Sequence, residues 1–284
     1  MFNMIFENKN GEELHFGDGY PFVVTDFKGM NPPKATINTN EAALVDGGKF
    51  NSAKLQMRSV NIAFAIEEAA EANRLRVYKV VQSKMPLKIY YISDHLNVFL
   101  EGYVEEIDFS YWAKKNICTV SVLCPFPYFK AIDEVISDFT TSQRKFFFPF
   151  HSTANPKEIV FGEVYDYIAA RVDNAGNVQT GLIFKLYASD NVVNPKITDR
   201  VTGEFFKINI TMEEGDIITV NTNQGYKKVT LEHDDEIENI FNDWDDDSTW
   251  LQLDIGGNIY LYGADSGADN LTVEISHYDL FEGV

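Results

Sequence analysis

The residues best suited to chemistry lie in one acidic stretch, Glu232–Asp247, which carries nine carboxylates and no Lys or Arg in sixteen positions. Within it Asp243, Asp245 and Asp247 alternate, and Asp254 stands at the twelfth place, loosely like a calcium-binding loop. The sixth place is a serine rather than glycine, and neither flank has helical periodicity. We therefore interpret the stretch as an exposed, mobile surface loop, with a calcium site at the three alternating aspartates as the alternative.

The rest of the chain contains few residue patterns that are typical of enzymes. The five histidines are scattered, and the sequence has no G-x-S-x-G, no complete phosphate loop and no dinucleotide-binding fingerprint. A glycoside hydrolase needs only two well-placed carboxylates, but an exposed, self-repelling cluster is poorly suited to hold two at a fixed separation. We predict that the protein is not an enzyme and has no cofactor.

Two cysteines, Cys118 and Cys124, fall in a β-branched run that predicts a single strand. Six residues along a strand span about 20 Å, whereas a disulfide needs Cα atoms within about 7 Å. The even spacing places both side chains on one face, so we expect buried, reduced thiols in a protein folded in a reducing compartment.

Aromatic residues in the second half of the chain are the candidates for contact with a glycan or a partner. Tyr226, Trp244 and Trp250 are the residues we single out. Tyr260 and Tyr262 share one strand face and are predicted to lie in the core, with a sugar-stacking platform as the alternative.

The first part of the chain predicts strands around a single helix. A strand is expected from Lys54 to Ile66, and an apolar stripe at helical spacing predicts a helix over 67–82. Pro125 and Pro127 at alternate positions end this run, because proline is excluded from central strands.

The remainder predicts a connector and then an all-β domain. Residues 131–157 are mixed in character, and from 158 onward glycines at short spacing are typical of an antiparallel β-sandwich. The stretches 205–210 and 217–220 predict a hairpin around Glu213–Asp216. The predicted fold is mainly β with one helix: an α+β domain over 1–130, a connector over 131–157 and a sandwich over 158–284.

Charge is divided unevenly between the two parts. Residues 1–130 hold 14 basic and 15 acidic side chains, whereas residues 131–284 hold 10 and 28. The acidic part would be repelled by phosphate backbones, so specific nucleic-acid binding is not expected. The sequence shows no apolar run of membrane length and no signal peptide, and we expect no membrane insertion.

The order of these elements resembles the distal tail proteins of long-tailed phages of Gram-positive hosts. In the first domain the resemblance is one of topology, with Arg58 at the start of a strand, the single helix, a hairpin and an ending at Cys124-Pro-Phe-Pro-Tyr128. In the second domain it rests on short phrases in a fixed order: Phe146-Phe-Phe-Pro-Phe150, Asp173-Asn-Ala-Gly-Asn-Val-Gln-Thr-Gly181, Asn194-Pro-Lys-Ile, Thr202-Gly-Glu204, Gly215-Asp-Ile-Ile-Thr-Val-Asn-Thr222, Gly225-Tyr-Lys-Lys-Val229, Trp250-Leu-Gln-Leu, Gly257-Asn258, and Tyr278 with Gly283-Val284. The acidic stretch Glu232–Asp247 is richer in charge than this pattern requires.

The resemblance implies a structural virion protein at the tail tip, folded in the cytoplasm of the bacterial host. It implies that the first domain is split-barrel-like and forms a homohexameric ring. This ring joins the tail tube protein to the tail-tip, baseplate or tail-associated lysin proteins of a siphovirus. The second domain would be a galectin-like or carbohydrate-module-like sandwich that projects outward, towards a receptor-binding protein or a host glycan.

Two other functions stay open at this point. One is a glycan-binding protein whose sandwich contacts host cell-wall sugars, and the other is a glycoside hydrolase that uses carboxylates of the acidic stretch. The sequence also does not separate a phage from a phage-tail-like bacteriocin.

Overall fold

The chain divides into two compact units. The computed structural model describes residues 2–41, 46–110, 116–139, 142–144, 162–164 and 168–284. The first unit is Met1–Ile132 together with Leu280–Val284, and the second is Asp133–Asp279. In chain order the second unit is therefore inserted before the last five residues of the first, whereas the sequence predicts these five residues in the second domain.

The first unit is an antiparallel sheet with one helix. Its main sheet has the strand order β2-β1-β7-β8-β9-β6-β3, and β10 pairs with both β8 and β27. The elements of the first unit are β1 (Phe2–Asn8), β2 (Glu13–Phe16), β3 (Phe22–Lys28), β4 (Ala35–Glu41), β5 (Gly48–Leu55), β6 (Arg58–Ile66), α1 (Ala70–Val80), β7 (Pro86–Ser93), β8 (Asn97–Phe109), β9 (Asn116–Cys124), β10 (Phe129–Ala131) and, after the second unit, β27 (Leu280–Phe281).

Alternation of side chains along β6 and β9 builds the core of this sheet. Val60, Ile62 and Phe64 are fully buried, and their cross-strand partners Val122, Val120 and Cys118 are buried beside them. Burying one face of an antiparallel pair in this way fixes the register, because a one-residue slip would turn every apolar side chain outward. Phe64 also packs edge-on against Phe6, Phe16 and Phe22 in the same core.

The predicted burial of the two cysteines on one strand is confirmed. Cys118 and Cys124 lie in the single strand β9, are free thiols and have no exposed side-chain surface. Burial raises the pKa of each thiol to about 12, so the reactive thiolate is scarce near neutral pH.

We expect native Cys118 and Cys124 to react with a thiol reagent at pH 8 at least about a hundredfold more slowly than in guanidinium chloride. Cys118→Ser or Cys124→Ser should lower the free energy of unfolding by about 1–3 kcal/mol, because each places a hydroxyl on an apolar face. Labelling kinetics and thermal melts measure the two effects. Rapid labelling of both thiols in the folded protein would contradict the burial.

The helix is shorter than the sequence predicts. It begins at Ala70 rather than near residue 67, because Ala69 adopts a left-handed backbone conformation and interrupts helical geometry. Its buried residues are Val77, which belongs to the predicted apolar stripe, and Val80, which does not but lies on the same face three residues later. Among the described residues no helix has the length and apolar character needed to cross a lipid bilayer.

The strand predicted from Lys54 to Ile66 is in fact two strands. β5 ends at Leu55, and β6 starts at Arg58. β5 does not join the main sheet: it pairs with β4 in a separate two-stranded hairpin. Sequence alternation alone missed this hairpin because most of its residues are exposed, so they carry no buried apolar period.

The second unit is a β-sandwich. A six-stranded sheet has the order β11-β26-β16-β21-β22-β23, and a four-stranded sheet has the order β14-β25-β18-β19. The strands are β11 (Val135–Phe139), β12 (Ser142–Arg144), β13 (Gly162–Val164), β14 (Ile168–Asn174), β15 (Thr180–Gly181), β16 (Ile183–Ala188), β17 (Val192–Val193), β18 (Lys196–Asp199), β19 (Phe205–Lys207), β20 (Thr211–Met212), β21 (Ile217–Asn221), β22 (Lys228–His233), β23 (Glu236–Asn239), β24 (Gln252–Leu253), β25 (Gly256–Gly263) and β26 (Leu271–His277), with 3-10 turns at Phe241–Asp243 and Ala268–Asn270.

Both sheets contribute side chains to one core. Phe184 of β16 packs edge-on against Phe206 of β19 and Tyr260 of β25, at centroid distances of 5.1 and 5.8 Å. Tyr260 is buried and its hydroxyl donates to the carbonyl of Gln252 at 2.9 Å. Tyr260 and Tyr262 are therefore core residues and not a sugar-stacking platform.

One predicted hairpin of the second unit is wrong. A turn does form at Glu213–Asp216, but β19 pairs with β18 in the four-stranded sheet, and β21 pairs with β16 and β22 in the other. The chain crosses between the two sheets here, which local sequence signals do not distinguish from a hairpin. The mainly β fold with one α-helix is confirmed for the described residues; the aromatic block Phe146–Phe150 lies outside them.

Candidate functional site

An aromatic stack is the most distinctive side-chain cluster of the second unit. Trp244 and Trp250 stack with ring centroids 4.6 Å apart and planes 19° from parallel. Trp244 also stacks on Phe206 at 5.4 Å, and Trp250 on Phe241 at 6.1 Å. The structure thus brings together two of the three aromatic residues singled out from the sequence.

The stack leads from the core to the solvent. Phe206 is fully buried, Trp244 and Trp250 are half-buried, and the Phe241 ring is 51% exposed. Each indole is stacked against two other rings, so Phe241 is the ring of the stack that is most open to a ligand. Sequence reasoning missed Phe241 because its place in the stack depends on the turn that follows β23.

Lys227 and Tyr226 are two adjacent residues before β22 that differ in their relation to the aromatic stack. Lys227 Nζ is 5.1 Å from the Trp250 ring centroid, which is a cation–π distance. The adjacent Tyr226 is 66% exposed in the turn before β22, and no ring contact to the stack is found for it among the described residues. Tyr226 is therefore available to solvent, whereas Trp244 and Trp250 mainly fix the segment that carries them.

The acidic stretch Glu232–Asp247 forms a hairpin and a turn where the sequence predicts a loop, and most of its carboxylates are exposed as predicted. It includes the end of β22, β23 and the 3-10 turn at Phe241–Asp243. Asp234 and Asp235 form the hairpin turn with positive φ, a conformation that aspartate tolerates better than most residues. A dense run of charge does not exclude a strand, because six of the nine carboxylates are exposed while the backbone of β22 and β23 pairs normally.

The three alternating aspartates are not arranged as a metal site. In the part of the chain that the structure describes, no three His, Cys, Asp or Glu side chains converge as a metal would require. Asp245 instead accepts hydrogen bonds from protein groups: Oδ1 from the Asp247 amide at 3.1 Å, and Oδ2 from the Asn209 side chain at 3.2 Å. These bonds, with the amide of Asp245 donating to the Lys207 carbonyl, attach the turn to β19.

A His–Asp pair lies beside this hairpin. His233 Nδ1 is 2.5 Å from Oδ1 of the buried Asp216, whose other oxygen accepts from the Glu213 amide at 2.8 Å. The hydrogen bond to Asp216 raises the pKa of His233. The pair joins the Glu213–Asp216 turn to β22, which is a structural role.

His277 is buried, and its pKa is shifted in the opposite direction to that of His233. Its ring is fully buried at the end of β26, and Nε2 is 3.3 Å from Asp279 Oδ1 without hydrogen-bond geometry. Burial lowers the pKa of His277, and the Asp279 carboxylate, the backbone of Asp173 and Glu134 offset this in part. Asp279 Oδ1 also accepts from the Ala175 amide at 2.9 Å.

We expect the second unit to lose stability as the pH falls below about 6.5, by up to about 1.4 kcal/mol per pH unit. The lowered pKa of His277 means that the unfolded chain binds a proton more readily than the folded chain, so acid favours unfolding. Thermal melts at pH 7.5 and 5.0, with His277→Gln as the comparison, isolate this effect from the opposite one of His233. Equal pH dependence in the native and variant proteins would refute it.

The Arg58 side chain connects separate backbone segments of the first unit through hydrogen bonds. Its guanidinium donates to four carbonyls: Nε to Pro127 at 2.6 Å, Nη1 to Gly29 at 2.5 Å and Asn31 at 2.8 Å, and Nη2 to Glu282 at 2.5 Å. The side chain is 2% exposed and lies over the Phe129 ring at 4.7 Å. Burial lowers its pKa, but arginine stays charged at any relevant pH.

The first unit exposes several large apolar side chains. Its exposed large hydrophobic side chains are at least 36% accessible and occur on β3, β4, β5, β8 and α1, among them Phe27, Ile37, Phe50, Leu75 and Tyr103. Scattered apolar residues are normal on a protein surface, but this unit also has almost no net charge. Such a surface is suited to contact with other proteins.

A comparison with known protein families identifies a match in the second unit. Residues 175–278 match the family described as "Siphovirus-type tail component, C-terminal domain". This match confirms, for the second unit, the resemblance to phage distal tail proteins. No curated protein matches the chain.

Solved structures extend the likeness to the fold of the whole chain. The SPP1 Dit protein, described as a paradigm of the hub adsorption apparatus in phages that infect Gram-positive bacteria, is 17% identical with a TM-score of 0.68, over 98% of this chain and 99% of that one. A chain of the phage P2 baseplate, solved in its activated conformation with Ca, is 10% identical with a TM-score of 0.51, over 98% of both chains. The fold of this chain is thus similar to that of SPP1 Dit.

Proposed function

We propose that this chain is a distal tail protein, a structural hub that joins the tail tube of a siphovirus to its tail-tip or baseplate proteins. The observation that carries the proposal is the two-unit architecture, which matches SPP1 Dit over nearly the full length of both chains. The family match of the second unit supports it independently of the fold.

In this proposal the first unit forms a ring of identical subunits, six in number. Its nearly balanced charge allows copies to meet with little electrostatic cost, and its exposed apolar side chains supply area to bury. The residues after 130 carry most of the net charge of −19, so copies of the second unit repel one another and are favoured on the outside of a ring.

The ring would contact the tail tube protein on one face and a tail-tip or tail-associated lysin protein on the other, and its location would be the virion tail tip. The role is structural and not catalytic. Two carboxylates that could take part in acid–base catalysis have structural partners instead. Asp245 accepts a hydrogen bond from Asn209, and Asp216 is hydrogen-bonded to His233.

Sedimentation velocity and negative-stain microscopy of the full chain test this function. We expect rings of six copies with the second unit at the periphery, formed in a concentration-dependent manner. A chain that stays monomeric up to about 1 mM, or that cleaves cell-wall polysaccharide with turnover, would contradict the proposal.

A second function rests on the aromatic surface of the second unit. The exposed rings of Phe241 and Tyr226, with Lys227 beside Trp250, offer apolar faces and a hydrogen-bond donor, a combination that suits a sugar. We propose a weak contact with host cell-wall glycan at this surface. Binding of the full chain to purified cell walls should fall on Phe241→Ala with Tyr226→Ala, and should be unchanged on Ile255→Ala, an exposed apolar control.

A further inference from the structure

The strand β23 is an open edge of the second unit. It is the last strand of the six-stranded sheet, it pairs with β22 alone among the described strands, and all of its residues, Glu236–Asn239, are exposed. The edge strand β19 of the other sheet is covered instead: the Asp245 amide donates to the Lys207 carbonyl at 3.1 Å, and the Thr249 amide donates to the Phe205 carbonyl at 2.7 Å. An uncovered edge presents main-chain groups that can pair with a further strand.

The turn of the β22–β23 hairpin determines which main-chain groups of β23 face outward. Both residues of the turn, Asp234–Asp235, have positive φ, as in a two-residue hairpin turn, so Glu236 directly after it bonds to β22. The Ile240 amide also donates to β22, at 3.2 Å. Residues that bond to a given neighbour alternate along an antiparallel strand. The N–H and C=O groups of Ile237 and Asn239 therefore point away from β22, and no described strand pairs with them.

The side chains along this edge are one apolar residue between two carboxylates. Ile237 is 66% exposed, and the pleat directs Glu236 and Glu238 to the opposite face. Of the nine carboxylates in Glu232–Asp247, only that of Asp234 lies within ion-pair distance of a basic side chain in the described part of the chain, 3.6 Å from the preceding histidine. The edge thus carries uncompensated negative charge beside its free pairing groups.

We propose that β23 binds an extended, basic segment of a partner protein by strand addition. The backbone of this segment pairs with Ile237 and Asn239. An apolar side chain of the segment lies beside Ile237, and Lys or Arg side chains lie opposite Glu236 and Glu238. The inference goes beyond the proposed hub, because it assigns a partner chemistry to the second unit, and assembly of a ring neither requires it nor follows from it.

Charge favours this occupant over a second copy of the chain. Two β23 edges brought together would place glutamates at cross-strand positions, where like charges are unfavourable. Residues 131–284 hold 28 acidic and 10 basic side chains, so the second units of two copies repel one another in general. Carboxylates on an edge strand keep it from pairing with its own kind, and the same carboxylates attract a basic strand.

A synthetic peptide provides the probe. It has about eight residues, the length of an ordinary strand, with lysine and valine in alternation and both ends blocked. Fluorescence anisotropy with the full chain should show binding at low salt that weakens roughly tenfold at about 0.3 M salt, because screening reduces the attraction of exposed charges. A peptide with glutamate in place of lysine should bind at least about tenfold more weakly.

Backbone methylation separates strand addition from a general attraction to an acidic surface. An added strand uses the amides of alternate residues to pair with the edge. Two further peptides carry N-methyl groups on all valine amides or on all lysine amides. One of the two should lose binding, and the other should bind within about threefold of the unmethylated peptide. Equal binding by both, or equal loss, would overturn strand addition.

Variants of the full chain locate the site. Ile237→Pro removes a main-chain donor that faces away from β22, a position where an edge strand tolerates proline, and should weaken peptide binding by roughly tenfold or more. Glu236→Gln with Glu238→Gln should weaken it about fivefold at low salt. The matched control Asp246→Asn with Asp247→Asn removes the same charge from exposed residues of the same stretch outside β23, and should change binding by less than about twofold.

Thermal melts show whether each variant is folded. All three should melt near the native midpoint, because the substituted side chains are exposed. If Ile237→Pro melts early, the glutamine variant and the methylated peptides decide the question. A native chain that binds no peptide up to about 1 mM, or equal weakening by the glutamine and asparagine variants, would overturn the proposal. Self-association that Ile237→Pro abolishes would assign the edge to a second copy and overturn the basic partner.

Discussion

Arg58→Met is expected to lower the free energy of unfolding of the first unit by about 4 kcal/mol. The substitution keeps most of the apolar stem but leaves the carbonyls of Gly29, Asn31, Pro127 and Glu282 without their shared donor. Each buried carbonyl that loses its partner costs about 1 kcal/mol or more, and water has poor access to a site that is 2% exposed.

Scanning calorimetry of the full chain measures this effect. The transition of the first unit should shift downward, while that of the second unit keeps its midpoint, since Arg58 contacts the first unit. Arg76→Met is the matched control, because Arg76 is an exposed arginine whose guanidinium lies 5.8 Å from the Phe22 ring centroid. A loss below about 1 kcal/mol for Arg58→Met would show that solvent or nearby groups replace the guanidinium.

Arg58 also illustrates where sequence reasoning ends. The family resemblance places it at the start of a strand, but its acceptors lie 27 to 224 residues away. Gly29 can approach it because its φ is +85° and a Cβ there would lie 2.1 Å from the Ser59 carbonyl oxygen. No local pattern predicts such a convergence of distant backbone segments.

The parts of the fold that were predicted correctly depend on short-range periodicity. The cysteine strand β9 was identified from β-branched residues at alternate positions, and its buried face follows from the pleat. The crossing between sheets after β19 was missed because it depends on which strands meet in space. The hairpin of β4 and β5 was missed because its mostly exposed residues carry no buried apolar period.

The candidate site shows the same division. The sequence singles out Trp244 and Trp250 as candidates for contact with a glycan or a partner, but their stacking on Phe206 and Phe241 is visible only in the tertiary structure. The aspartates of 232–247 had a spacing that suggested calcium, yet the hairpin and the bonds of Asp245 determine their positions. In this stretch the density of charge predicts that side chains are exposed, but it does not predict whether their carboxylates converge on a ligand.

Removing Leu280–Val284 is expected to destabilise the first unit by about 3 kcal/mol, even though the segment follows the second unit in the chain. Leu280 is buried, Phe281 and Val284 pack against the core of the first unit, and β27 pairs with β10. The segment also supplies the Glu282 carbonyl to Arg58 and donates the Val284 amide to Met30 at 3.2 Å. Gly283 fits closely, because a Cβ there would lie 2.8 Å from Pro32 Cδ.

Two shortened proteins, with and without Leu280–Val284, measure the contribution of this segment directly. Lys130 and Leu280 are cross-strand partners, so a loop of about four residues can join β10 to β27. The first protein ends at Ile132, and the second continues from Ile132 through a short polar linker into Leu280–Val284. The joined protein should unfold cooperatively near the midpoint of the first unit in the full chain, and the one that ends at Ile132 should unfold at a clearly lower temperature or not fold. Equal midpoints would mean that the last five residues contribute no net stability, and the first unit would then be complete at residue 132. A joined protein that also self-associates would further assign the ring contacts to the first unit, because the acidic second unit is absent from it.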